Sequence, residues 1–245
     1  MRRSPLLAAF LVAAVAMAAC ADDGGDRSAR DAQPGAAGTI HTVAPLEGVA
    51  TRLLEAYETL DPDADLALKV SPPAQAVQAV AERTGGVTIL PTAALADVDS
   101  TALGRTLAII AVPAGNPGQV TGVAAFAAGS GQETAMCGPD TIFGNFAALV
   151  VHLGGVEPDP DRVRSGCAGR AMDRVARGEL DAALVFRTAV RIPDGVEVIE
   201  LPEDQNLIIE IAYARLANSE SARAFVRFLG SDPAKLILAD EGFLP

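Results

Sequence analysis

Few residues in this 245-residue chain have types and spacing suited to chemistry. Cysteines stand at Cys20, Cys137 and Cys167, with no Cys-x-x-Cys pair among them. The histidines, His41 and His152, are far apart and have no nucleophile motif around them, so each reads as a surface or satisfied side chain. No His-Glu-x-x-His and no phosphate-binding Gly-Lys loop occurs. Gly129-Ser130-Gly131 reads as a loop, without the strand–turn–helix setting of a nucleophile elbow. These features predict no enzyme, no metal site and no cofactor. Ser71-Pro72-Pro73 opens one expected helix, and the turn Gly138-Pro139-Asp140-Thr141 leads into another.

The composition bounds the choice of partners. The net charge is −12 and the isoelectric point about 4.6, which argues against a nucleic-acid partner held by a basic surface. It does not exclude a small anion, because helix starts act locally whatever the global charge. Half the residues are hydrophobic and tryptophan is absent, so one or two cores built from Ala, Val, Leu and Ile are expected.

The elements that must position these groups can be read in order. Met1-Arg2-Arg3 is basic, and Pro5 to Met17 is an apolar run too short to span a bilayer comfortably. With Ala18-Ala19-Cys20 it looks like a bacterial lipoprotein signal, residues 1–20, in which Cys20 is lipidated; the alternative is an ordinary cleaved signal with an incidental cysteine. This implies an exported protein held at the outer face of the cell membrane by its lipid anchor. Residues 21–38 are rich in Asp, Gly, Ala and Ser and read as a disordered tether. In an exported protein Cys137 and Cys167 are a plausible disulfide, the alternative being two buried thiols. From Thr39 onward, short apolar runs alternate with helix-period segments, which predicts α/β architecture with mostly parallel sheets flanked by helices. The run Leu107 to Val112 is apolar and β-branched and predicts a strand buried on both faces, stopped by Pro113 and turned by Ala114-Gly115-Asn116-Pro117.

Five segments together resemble the molybdate-binding protein of ABC importers, a type II periplasmic binding protein: Leu107–Pro117, Cys137–Ile142, Val175–Phe186, Leu201–Asp204, and Ser221–Leu229 continuing through Glu241–Pro245. The resemblance covers nearly everything from Thr39 to the C-terminus. It implies two lobes joined by crossing strands, residues 39–112 with 202–245 and residues 113–201, with an oxyanion in the cleft and an ABC permease as docking partner. In that family, serine hydroxyls, backbone N–H groups at helix starts and one tyrosine hydroxyl hold the anion. The corresponding positions here are Pro45, Pro73, Gly144, Ala168 and Phe186. The two prolines have neither hydroxyl nor N–H, and the phenylalanine lacks the tyrosine hydroxyl. Each lost hydrogen bond to a charged group is worth roughly 1.5–3 kcal/mol. Ser71, Thr141 and Asn145 could replace the donors, and Arg187 could place a guanidinium in the cleft. The plainer alternatives are a helix cap for Ser71, core packing for Phe186 and a solvated strand end for Arg187. A binding protein that has lost its oxyanion and acts as a sensing or interaction module is the competing expectation.

Overall fold

The computed structural model describes residues 38–128, 133–139, 141–157, 169–189 and 192–244. The expected signal, Cys20, nearly all of the tether, the Gly129–Gly131 loop, Cys167 and Ala168 lie outside the described residues.

In chain order, β1 (Thr39–Thr42) leads through a 3-10 turn at Ala44–Leu46 into α1 (Glu47–Leu60), followed by β2 (Ala67–Val70), α2 (Pro73–Ala81), β3 (Val87–Pro91) and β4 (Ser100–Thr106). Then come β5 (Ala108–Pro113), α3 (Val123–Ala128), β6 (Thr134–Met136), α4 (Ile142–Leu153), α5 (Gly169–Ala176), β7 (Ala182–Phe186) and β8 (Val196–Glu200). The chain returns through β9 (Ile209–Arg215) and ends with α6 (Glu220–Leu229) and α7 (Asp232–Asp240). The strands form a five-stranded sheet, β2-β1-β3-β9-β4, and a four-stranded sheet, β6-β7-β5-β8.

Both sheets are mixed, which corrects the expectation of mostly parallel ones. Strand β1 pairs parallel with β2 and β3, and β6 parallel with β7, as helical crossovers require. The strands that carry the chain between the sheets run the other way: β9 is antiparallel to β3 and β4, and β5 is antiparallel to β7 and β8. The outgoing boundary also falls at Leu107 rather than after Val112. Strand β4 pairs in the first sheet up to Thr106, and Ala108 already pairs with Phe186 in the second.

Strand β5 is fully buried from Ala108 to Val112, because both faces of the second sheet are covered. Ile110, Val112, Leu184 and Phe186 face the core that includes α4, whereas Ile109, Ala111 and Val185 pack on Ala171, Met172 and Val175 of α5. In the first sheet, Val49, Leu53 and Tyr57 line the inner face of α1, and Tyr57 meets the rings of Phe225 and Phe228 at 5.4 and 5.5 Å. Arg52, on another face of α1, donates to Asp240 at 2.7 Å and also to Glu241, tying that helix to the end of α7. The Pro113–Pro117 turn forms as expected. Asn116 there donates to the Val120 carbonyl at 2.8 Å and accepts the Val120 N–H at 3.0 Å.

His41 departs from its reading as a surface or satisfied residue. It lies on β1, only 5% exposed, and its Nδ1 has no hydrogen-bond partner among the described residues. A Cβ on Gly85 would stand 2.4 Å from its Nε2, so the imidazole is packed against a residue that must be glycine. Burial, and secondarily the charge of the register neighbour Lys69, push its pKa below the ordinary value. The folded protein therefore holds His41 neutral where the unfolded chain already binds a proton. Its contribution to stability is complete above about pH 6.5, the unfolded value, and is lost as pH falls from there toward the lower folded value. Thermal unfolding followed between pH 7 and pH 5 is expected to show a falling Tm, and His41→Gln is expected to flatten that part of the slope. An identical slope in the variant would assign it to other groups.

Candidate functional site

Parallel strands gather ligands at their carboxyl ends, where helix N-termini converge. In the first sheet those ends carry the Pro45 turn and Ser71. The 3-10 turn between β1 and α1 is closed by Leu46 N–H donating to Val43 O at 2.9 Å. Pro45 is buried in this turn and offers no donor, and no side chain among the described residues caps α1. Ser71 is 6% exposed, and its backbone N–H donates to Thr42 O at 3.0 Å, which holds it beside the end of β1. It is not a helix cap. Pro72 occupies the N-cap of α2 with no side-chain cap bond, and Pro73 is the first helical residue, the position where a missing N–H costs least.

In the second sheet, α4 starts with a closed set of hydrogen bonds. The Thr141 hydroxyl accepts the Gly144 N–H at 2.8 Å and donates to Gly138 O at 2.8 Å. The Gly144 N–H, expected from the resemblance to face an anion, is thus already used in capping its own helix. Gly144 is there for space: a Cβ would stand 1.7 Å from Gly138 O. Asn145 is exposed on the same turn. Phe186, 1% exposed, stacks edge-on against Phe143 at 5.1 Å and Phe146 at 6.5 Å, so its ring is enclosed in an aromatic cluster. Cys137 is buried just after β6.

Arg187 is neither a free guanidinium nor a solvated strand end. Its Nη2 pairs with Glu200 Oε1 on β8, and its stem lies against Gly242, where a Cβ would come within 3.0 Å of Arg187 Cγ. It begins a 3-10 turn, Arg187–Ala189, that touches both α1 and the Ala44–Leu46 turn. The structure therefore brings Pro45 and Arg187 to neighbouring turns, one from each sheet. The same turn holds a residue that the sequence reading passed over. Thr188 is 3% exposed and its N–H donates to Thr106 Oγ1 at 3.3 Å, but its own hydroxyl has no partner among the described residues. Nothing in the pattern Phe-Arg-Thr-Ala marks it, because its burial comes from the packing of distant elements.

Several solved structures share this fold. The periplasmic molybdate-binding protein of Azotobacter vinelandii is 14% identical, with 84% of this chain and 98% of that one aligned at a TM-score of 0.68. The sulfate-binding protein SubI of Mycobacterium tuberculosis is 18% identical over 85% and 86%, at 0.63. PEB3 of Campylobacter jejuni, in its L-phospholactate-bound form, is 15% identical over 85% and 99%, at 0.63. At these identities the likeness establishes the fold alone, two sheets flanked by helices as in type II periplasmic binding proteins. No curated protein matches the chain by sequence. A family model described as bacterial extracellular solute-binding protein matches residues 39–244, essentially the whole described body, and this chain belongs to that family.

Proposed function

We propose that this chain is the solute-binding lipoprotein of an ABC importer. In this reading Cys20 carries the lipid anchor, residues 21–38 are the tether, and the two lobes close on a small tetrahedral oxyanion and present it to a membrane permease. A Cys137–Cys167 disulfide would brace the second lobe next to α4. Molybdate and tungstate are the first candidates, because the sequence resembles the molybdate-binding family and a molybdate-binding protein shares the fold. Sulfate and an organic phosphate are bound by other proteins of the same fold.

The observation that carries the reading is the Thr188 hydroxyl. It is buried without a partner among the described residues where turns from the two sheets meet, and buried hydroxyls are ordinarily hydrogen-bonded. A bound oxyanion would accept from it, with Ser71 as a second hydroxyl on the first-sheet side. The donor set differs from the family's, since Pro45, Pro73 and Phe186 give no donor and Gly144 gives its own to Thr141.

That same loss favours the second reading, a binding-protein fold kept as a sensing or interaction module. A thermal-shift titration of the chain from Gly38 onward with molybdate, tungstate, sulfate and phosphate separates the two. At a hundred times the dissociation constant, a ligand is expected to stabilise the fold by about 2.7 kcal/mol. Thr188→Val is expected to abolish most of that shift and leave the ligand-free Tm unchanged or higher, because it removes an unsatisfied buried hydroxyl. A shift that survives Thr188→Val would move the site elsewhere. No shift with any of the four anions would overturn the oxyanion reading in favour of the module.

A further inference from the structure

The two crossings between the sheets are unequal. The outgoing chain passes from Thr106, the last residue of β4 paired with β9, to Ala108, the first paired with β7, through Leu107 alone. The return runs from Glu200, paired with Ile109, to Ile209, paired with Thr106. Between these points no strand ladder joins the outgoing and returning segments. Asn206 fills the gap. Its Oδ1 accepts the Ala108 N–H at 3.0 Å, and its Nδ2 donates to the Ala108 carbonyl at 2.9 Å. The same Oδ1 accepts the Leu207 N–H at 2.8 Å, which fixes the side chain to its own backbone. The neighbouring Leu107 carbonyl accepts from Arg187 N–H at 3.0 Å.

A primary amide carries one acceptor and a pair of donors in a plane, so it can imitate a peptide group across a ladder. It differs in being joined to the chain by rotatable bonds. A continuous ladder from β8 into β9 would impose one twist on both sheets. A single side-chain pair holds the two strands together and leaves the sheets free to turn about that point.

We propose that Asn206 is the hinge pin of this protein, a positioning residue whose amide couples the outgoing and returning strands at Ala108 and thereby sets how far one lobe swings against the other. The proposal rests on the two-sheet architecture and not on the identity of any ligand. Asn116 supplies an internal control, because it makes the same two-way pairing to Val120 wholly on the second-lobe side.

Hydrogen–deuterium exchange of the full chain, read by mass spectrometry without added ligand, tests it. Asn206→Ala is expected to speed exchange at Ala108 by roughly tenfold, the loss of one hydrogen bond's protection. It is also expected to speed exchange in the Ala44–Leu46 and Arg187–Ala189 turns, where the lobes touch and which Asn206 does not contact through any of these hydrogen bonds. Asn116→Ala should affect only its own loop. Acceleration confined to Ala108 and Leu207 would reduce Asn206 to a local cap and overturn the proposal. If the alanine variant fails to fold, Asn206→Asp keeps both accepted bonds but replaces the donor with a carboxylate oxygen that repels the Ala108 carbonyl. Faster exchange in the same two turns supports the hinge, and unchanged exchange there overturns it. Because no ligand is added, neither result bears on the oxyanion reading.

Discussion

Gly144→Ala is expected to lower stability by up to about 3 kcal/mol, although alanine is the better helix former by about 1 kcal/mol in an open helix. The methyl carbon would stand 1.7 Å from Gly138 O, 2.5 Å from Gly138 C and 2.8 Å from Thr141 Oγ1. Two of the three are backbone atoms, so no rotamer change relieves the clash. The Gly138 carbonyl must move, and it is the acceptor for the Thr141 hydroxyl that in turn caps α4. The substitution thus combines overpacking with the loss of a helix cap, itself worth about 1 kcal/mol. Against a typical total of about 5–15 kcal/mol this is a large fraction. Urea titration should show a lower midpoint with an unchanged slope, which marks lost stability rather than a changed unfolded state. A midpoint within error of the parent would mean that the first turn of α4 can shift as a unit. The resemblance had this residue present its N–H to an anion; the larger expected effect comes from a carbon atom it does not have.

Phe186→Ala is expected to cost about 3–5 kcal/mol, the range for emptying a buried aromatic site. The ring is fully enclosed and meets Phe143 and Phe146 edge-on, so its removal leaves a cavity between β7 and α4. Phe186→Tyr sharpens the test, because it restores the hydroxyl found in the molybdate-binding pattern. If the cluster is a dry core, the new hydroxyl is buried without a partner and stability falls by about 1–3 kcal/mol. If the hydroxyl instead reaches a ligand site, the variant shows a larger molybdate-dependent thermal shift than the parent. Measuring Tm with and without molybdate for Phe186→Ala, Phe186→Tyr and the parent distinguishes these outcomes.

The α/β architecture was legible because the strongest sequence signals coincide with the most buried elements. The unbroken run Ala108–Val112 and the apolar Ala182–Phe186 are each buried on both faces. Strand β4 was not legible. Ser-Thr-Ala-Leu-Gly-Arg-Thr has no apolar alternation because it is an edge strand, mostly exposed, with an irregularity between Ala102 and Gly104 where Phe243 packs against the glycine. Missing it displaced the crossing and hid the mixed character of the first sheet.

At the candidate site, the local pattern places the turns but does not show what their groups bond to. Local spacing shows that Thr141 precedes a helix, yet not that its hydroxyl uses the Gly144 N–H. Arg187 and Glu200 meet because β7 and β8 both flank β5, a relation between strands that no local pattern encodes. Thr188 and Asn206 were passed over for the same reason, since burial and a partner 98 residues away are properties of the assembled sheets.

The mixed topology also bears on how the chain assembles. All four strands of the second sheet come from one uninterrupted stretch, Ala108 to Glu200. The first sheet lacks β9, its only link between β3 and the edge strand β4, until Arg215 is in place. Strands β1 to β3 can pair early through nearby segments, but β4 has no partner until more than half the chain has been made. A chain emerging from its N-terminus can therefore complete its inserted half first, and the closure of the outer half waits for a long-range pairing, the slow kind of folding event. Its edge strand stays unpaired in the interval, the state in which β-structure is most exposed to wrong partners.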